Sequence, residues 1–440
     1  MIFFAKRPAL ALIMSFVTAI AIGTLLLMLP ASTPRGCGIS FVDALFTSAS
    51  ATCVTGLIVR STATGFTLFG KTVILLLIQL GGLGLMTFSV SLFLAFGKKI
   101  SKTQEVLLKD SLNEDSIRSA REILNFLLLV TFGSEIIGAV FLFFSFRQFY
   151  AAGEAVKMAV FHSVSAFCNA GFSLIDSSIS IFAKSPGAVI VFSALIIVGG
   201  IGFVVLLDIF NNFTGKEKRF KLHTRLAIVV TAALLLGGTL LFYASEKNNI
   251  LKDMSSGNKW LNSFFLSVTS RTAGFNSVDT ALLKPFSKFT AIGLMFVGAS
   301  PGGTGGGVKT VTFAIILLIA VGHIRRRSEI TVAGRTIPPF FEHRAVAILV
   351  YAFIIIMAAG GILLYAENLP FEDIIFEVVS AFGTVGLSAG ITAKLSDASK
   401  YTLIVVMFMG RLGPLTIALA TMGHKQHLDI SYASERVLLG

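Results

Sequence analysis

The residues of this chain best suited to chemistry are small ones at four matched places. They read Cys53-Val54-Thr55-Gly56-Leu57, Cys168-Asn169-Ala170-Gly171-Phe172, Arg271-Thr272-Ala273-Gly274-Phe275 and Gly383-Thr384-Val385-Gly386-Leu387, with the glycines spaced by 115, 103 and 112 residues. No segment carries a carboxylate. What these segments offer is main-chain carbonyl oxygen. Glycine lets the backbone turn so that carbonyls point at one line. Oxygens arranged in this way replace the water shell of a cation. The candidate ion-binding set is therefore Val54, Thr55 and Gly56, Asn169, Ala170 and Gly171, Thr272, Ala273 and Gly274, and Thr384, Val385 and Gly386. Arg271 is expected to bind backbone behind this set, because a positive charge on the axis would repel cations.

A second set lies further along. Gly298-Ala299-Ser300-Pro301-Gly302-Gly303-Thr304-Gly305-Gly306-Gly307 cannot remain helical. In a helix interior glycine costs about 1 kcal/mol and proline about 3. The segment Gly302, Gly303, Thr304, Gly305, Gly306, Gly307 is thus expected to break one apolar helix in mid-membrane and to act as a gate. The matching windows hold Gly81, Gly82 and Gly84, then Gly199, Gly200 and Gly202, then Gly410 and Gly413. Those read as sites of close helix packing. Arg411 falls 25 residues after Gly386, at the same depth. A charge there is costly and needs a partner or water. It suits a gating role that holds loop carbonyls and opposes cation leakage, or a structural one that bonds helix ends. Glu135 and Asp208 are weaker candidates, the first as a helix bridge and the second at a helix end. Lys309-Thr310 follows the glycines, but the phosphate-loop spacing is absent. Asp43 and Asp373 each precede a loop glycine by 13 residues and read as first-turn acids of short helices, with an ion-attracting vestibule as the secondary reading.

The elements that must position these residues are membrane helices. The chain has 440 residues, a mean hydropathy of +0.85, 55% hydrophobic and 13% charged residues. That little charge cannot clothe a water-soluble surface. Eight apolar runs, at 8–30, 69–96, 122–146, 186–210, 224–244, 287–321, 343–366 and 400–422, read as spans. Between the members of each pair lie 41–52, 158–167, 258–270 and 371–382, too short to cross. They read as re-entrant half-helices. The expected fold is all-α integral membrane, with four tandem helix–half-helix–helix repeats around a pseudo-fourfold central pore. The repeats are expected at 1–97, 98–212, 213–322 and 323–440, the last ending in a cytoplasmic tail. Ala9–Leu29 follows Lys6-Arg7 and ends at Pro30 without a small-x-small cleavage site, so it reads as a retained helix. Of the 36 lysines and arginines, 20 fall on the side of the two termini and 13 on the other, which favours cytoplasmic N- and C-termini. The net charge of +13 sits in loops between spans and does not point to nucleic acid. Cys37, Cys53 and Cys168 form no disulfide framework or metal-ligand spacing. His162-Ser163 belongs to no nucleophile–base–orienter set, so no enzyme is expected.

Four such units, four loop glycines, a glycine-rich break in the third inner helix and an arginine in the fourth resemble the Trk/Ktr/HKT superfamily of potassium transporters over about residues 8–422. Without two additional N-terminal helices the chain is similar to the Ktr branch, the KtrB-type membrane subunits. The resemblance implies a homodimer in the bacterial plasma membrane that takes up K⁺, often with Na⁺ dependence. It implies a KtrA-like cytosolic ring of nucleotide-binding regulatory subunits as partner. This chain has no nucleotide-binding motif and implies no organic cofactor. The basic cytoplasmic loops suit docking of such a ring, although the positive-inside bias explains them equally well. In this family glycine at all four filter positions goes with K⁺ preference, and serine at the first goes with Na⁺ transport in some plant members. Gly56 therefore implies K⁺, whereas the residues by themselves specify only a monovalent cation. The competing classes are a less selective monovalent cation channel and a Na⁺-coupled small-solute symporter. The second usually shows two inverted repeats, not four parallel ones.

Overall fold

A computed structural model describes residues 8–34, 38–84, 117–326 and 329–413. Several expectations lie outside them: Lys6-Arg7, Cys37, the second half of the run at 69–96, the repeat limit at 97/98, the end of the run at 400–422 and the tail.

The first unit consists of α1 (Pro8–Met28), α2 (Phe41–Thr52) and α3 (Leu68–Leu83). The second has α4 (Ile117–Phe146), α5 (Ala152–Phe167), α6 (Pro186–Gly200) and α7 (Phe203–Phe213). The third has α8 (Leu222–Glu246), α9 (Ser256–Thr269), α10 (Pro285–Phe296) and α11 (Thr310–Ile324). The fourth has α12 (Pro339–Ala366), α13 (Phe371–Gly383) and α14 (Asp397–Leu412). The only strands among the described residues are Thr331–Val332 and Arg335–Thr336, paired between α11 and α12. The expected repeat limits at 212/213 and 322/323 fall in the last turns of α7 and α11.

The first helix of each unit is the membrane-crossing post. Leu10–Met28, Leu124–Phe146, Leu222–Glu246 and Pro339–Ala366 are each long and apolar enough to span a bilayer. Their outer faces leave Leu129, Ile136, Val229, Leu236 and Phe353 exposed, which only lipid makes favourable. The half-helices α2, α5, α9 and α13 pack inside these posts. Small residues decide how closely. Ser48 Oγ donates to Ile20 O (2.8 Å), Ser163 Oγ to Glu135 O (2.6 Å) and Ser267 Oγ to Leu235 O (3.0 Å). Three residues on from each acceptor stands Gly23, Gly138 or Gly238, and a Cβ on any of them would meet the same serine closer than 3.0 Å. Serine on the half-helix and glycine on the post thus fix one spacing three times.

The inner helices correct one expectation. Sequence reading gives a single broken inner helix, the third, and there α10 and α11 are indeed separate. But α6 and α7 are also bent, by 97°, at Ile201-Gly202. Gly202 has φ +95°, and Gly84 and Gly413, which end α3 and α14, have φ +81° and +83°. Packing is only half of what these glycine clusters do. Gly81, Gly199 and Gly410 lie against the carbonyls of Thr52, Phe167 and Phe382 at the ends of the half-helices, so close that a Cβ would come within 3.0 Å. The last glycine of each cluster then takes a backbone turn that L side chains disfavour.

Ion pairs join neighbouring units where the half-helices begin. Lys400 of α14 bonds Asp43 of α2 at 2.9 Å, and Lys288 of α10 bonds Asp373 of α13 at 2.7 Å. Both acids stand in the first turn, as expected, and each is held by a lysine from the preceding unit of the ring. The Asp43–Lys400 pair closes unit four onto unit one.

Candidate ion pathway

The four glycine segments share one backbone conformation. Each begins at the C-terminal end of a half-helix and places a residue at positive φ two positions before its glycine: Val54 (58°), Asn169 (59°), Thr272 (74°) and Thr384 (50°). Three of these are β-branched, for which that region is a genuine outlier. The glycines follow at φ +93°, +70°, +73° and +88°. Backbone strain of this kind persists only where the surroundings over-determine it. Here they do. Thr55 N, Ala170 N and Val385 N donate to Ser50 O, Ser165 O and Ser380 O, each at 2.8 Å, and Ala273 N donates to Thr269 O at 3.0 Å. Ser50 Oγ accepts Gly56 N at 3.1 Å, and Ser165 Oγ and Thr269 Oγ1 donate to Phe172 O and Phe275 O beyond the glycines.

The glycines meet in a closed ring. A Cβ added to Gly56 would lie 3.1 Å from Gly171 Cα, one on Gly171 3.0 Å from Gly274 Cα, one on Gly274 3.1 Å from Gly386 Cα, and one on Gly386 3.0 Å from Gly56 Cα. The same four positions press against the carbonyl oxygens of Ala170, Ala273, Val385 and Thr55, closer than a real Cβ ever comes. Four units therefore bring four glycines and four carbonyls to one axis. Any side chain in the ring displaces a carbonyl.

Outside the ring opens a cavity of about 280 Å³, lined by the four glycines and by the loops that follow them. The loops are stitched to one another. Ser61 donates to Asp176, Ile179 N to Asn276 O at 3.1 Å, and Thr280 Oγ1 to Ser388 O at 2.7 Å. Two buried polar side chains brace them from behind. His162 Nε2 lies 3.0 Å from Ser173 Oγ and accepts Leu174 N at 3.3 Å. Glu377 accepts Thr392 Oγ1 and, at 3.4 Å, Ala389 N. Both stand nine residues before their glycine. His162 is thus a loop brace. Asp176 and Asp279 supply carboxylates to the cavity wall, each five residues after its glycine. Sequence reading gave Asp43 and Asp373 first as first-turn acids and only secondarily as vestibule residues. Those two are engaged by lysines, and Asp176 and Asp279 line the cavity. The constant offset from the glycine was the signal available.

On the other side of the ring lies the segment between α10 and α11. Its neck is pinned by Gly298 N to Val308 O (2.9 Å) and Val308 N to Phe296 O (3.2 Å). Its tip lies under the ring. Gly306 N donates to Thr384 Oγ1 at 2.8 Å, and Gly305 is pressed against the Thr272 side chain. Arg411 clamps the segment: its guanidinium donates to Thr304 O and to Gly81 O, and to Gly82 O at 3.4 Å. One planar group thereby joins units one, three and four. Lys309 donates to Gly305 O and to Gly306 O (3.4 Å). Sequence reading had weighed Lys309 only against a phosphate loop, and its use on the glycine carbonyls was missed. Arg271, 8% exposed, donates to Gly298 O at 3.2 Å and to Thr231 Oγ1 of α8 at 3.5 Å. Asp208 accepts Lys221 N at 3.0 Å at the start of α8, and Glu135 is buried with one carboxylate oxygen unpaired among the described residues. The structure thus gathers the four glycines and the carbonyls of Thr55, Ala170, Ala273 and Val385 at one ring, with Gly305 and Gly306 against Thr272 and Thr384 and Arg411 on Thr304 O.

Four half-helices around one axis, with non-helical backbone at membrane depth, define a multi-pass membrane protein built to pass an ion. The chain belongs to the TrkH cation transport protein family, whose model matches residues 3–427. It is 38% identical to the Ktr system potassium uptake protein B of Bacillus subtilis, over 98% of this chain and 97% of that one. It is 34% identical to the potassium/sodium uptake protein NtpJ of Enterococcus hirae, over 98% of this chain and 97% of that one.

 Among solved structures, the potassium transporter TrkH from Vibrio parahaemolyticus shares the fold, with a TM-score of 0.74 at 19% identity over 95% of this chain and 85% of that one.

Proposed function

We propose that this protein takes up K⁺ across the bacterial plasma membrane, with the glycine ring as its selectivity filter. The observation that carries the reading is the closed contact of Gly56, Gly171, Gly274 and Gly386, with a carbonyl between each neighbouring pair. Carbonyl oxygens replace a cation's hydration without adding a fixed charge that would trap it. The half-helices aim their partially negative C-terminal ends at the same place. Gly302–Gly307, held by Arg411, is the gate: it lies across the path just beyond the ring, and its bonds are to backbone carbonyls that can be exchanged for water. The termini lie in the cytoplasm, on the side richer in lysine and arginine. The unit of function is a homodimer regulated by a KtrA-like nucleotide-binding ring.

The name of the Enterococcus relative, a potassium/sodium uptake protein, favours a second reading in which Na⁺ is conducted or required. One experiment separates the two. The gene is expressed in a bacterium lacking its own K⁺ uptake, and Rb⁺ and Na⁺ uptake are followed with and without Na⁺ in the medium. Rb⁺ uptake that Na⁺ stimulates but does not replace supports K⁺ transport with Na⁺ dependence. Equal uptake of both ions assigns a less selective cation pathway. No uptake of either, in cells that hold the protein in the membrane, refutes the proposal.

A further inference from the structure

The corner between α6 and α7 is docked on the gate segment by main chain alone. Ser300 N donates to Gly200 O at 3.0 Å, Thr304 N to Gly199 O at 3.1 Å, and Phe203 N to Gly302 O at 3.1 Å. The donors run in both directions, so the segment cannot slide along the corner without losing bonds. Space is equally restricted. A Cβ on Gly202 would come closer than 3.0 Å to Pro301 O, and one on Gly303 would lie 2.6 Å from Gly200 O. Away from the corner, α7 runs to Phe213 and the chain continues through Lys216, Lys218, Arg219 and Lys221 into α8. Asp208, at the middle of α7, accepts Lys221 N at 3.0 Å and ties the helix to that basic stretch. Arg411 and Lys309 hold the gate through side chains. The α6–α7 corner holds it through a helix that reaches the basic loop.

We propose that α7 positions the gate segment, with Gly202 as its pivot and the Phe203 N–H as its attachment to Gly302. A pull on the basic loop swings α7, withdraws that N–H and frees Gly302–Thr304 from the path. The inference rests on the reading of Gly302–Gly307 as the gate. Gly202 and Phe203 are positioning residues and touch no ion.

Two variants test it in purified full-length protein reconstituted in liposomes, with Rb⁺ flux as readout. Set against Phe203→Ala, which removes the buried ring beside Phe167 but keeps the N–H, Phe203→Pro isolates the N–H at the first position of α7, where proline suits a helix. It is expected to raise basal flux at least threefold, whereas a misfolded protein conducts less. The second variant is Val204→Cys with Gly302→Cys. A Cβ on Gly302 would lie 3.8 Å from Val204 Cγ2, within reach of a disulfide. Oxidation, checked by mass spectrometry of the linked peptides, is expected to lower flux at least fivefold, and reductant to restore it. The single-cysteine variants control for the native thiols. A linked protein that conducts like its reduced form, or Phe203→Pro at wild-type flux, overturns the proposal. Deleting Gly302–Gly307 in parallel tells the two failures apart. If the deletion raises flux while the link has no effect, the gate stands and the α7 attachment falls. If neither changes flux, the gate reading falls with it.

Discussion

Arg411 shows how one residue can carry several tasks. A buried guanidinium needs acceptors for its donors, and here they are carbonyls of Gly81, Gly82 and Thr304, from two other units. Charge-assisted hydrogen bonds contribute about 1.5–3 kcal/mol each. Arg411→Ala is therefore expected to raise basal Rb⁺ flux in liposomes severalfold. Arg411→Lys should fall between, because lysine keeps the charge but loses the planar fork. Unchanged flux in folded Arg411→Ala would assign the residue to structure alone. At the outer mouth, Asp279 is exposed on the cavity wall. Asp279→Asn should lower Rb⁺ uptake at micromolar Rb⁺ by about twofold at low ionic strength, and the effect should vanish near 1 M salt, where the screening length is about 3 Å. A loss that persists in high salt would mean that Asp279 shapes the loop and does not attract ions.

At the scale of elements, the half-helices and the third broken helix were legible in the sequence. Length decided the first, because 10–13 apolar residues cannot cross a bilayer. Local cost decided the second, because five glycines and a threonine in Gly302–Gly307 leave no helix to defend. The bend at Gly202 was not legible. Gly199, Gly200 and Gly202 cost a helix about 1 kcal/mol each, with no proline beside them as in the third unit, so packing is the natural reading. What bends the helix is tertiary: the gate segment supplies bonds to Gly199 O, Gly200 O and Phe203 N. Nor could positive φ at Val54, Thr272 and Thr384 be read, since β-branched residues avoid that region. It is imposed by the half-helix end and by the ring. The gate itself is open to a direct trial. Deletion of Gly302–Gly307 should raise flux and, if the proposed regulatory ring is present, weaken dependence on it. Combined with Arg411→Ala it should give less than the product of the two effects, since both remove one barrier. Full additivity would separate the arginine from the gate.

In the whole molecule, four weakly similar units are made into one pathway by contacts between units. Lys400–Asp43 and Lys288–Asp373 join them where the half-helices begin, the glycines join them at the ring, and Arg411 joins them below it. The fourfold arrangement was legible because the glycine segments recur in order. The unequal parts were not, because they depend on which unit faces which. The central claim is that the glycine ring selects K⁺. It is tested most directly by the Rb⁺/Na⁺ flux ratio of purified protein in liposomes, for wild type and for Gly56→Ser, Gly171→Ser, Gly274→Ser and Gly386→Ser. A serine Cβ at any of these positions must displace a neighbouring carbonyl, and a loss of about 1.4 kcal/mol in ion coordination is a tenfold change. The account requires the ratio to fall about tenfold or more in each variant, with protein yield affected far less. Four folded variants with the wild-type ratio would contradict it.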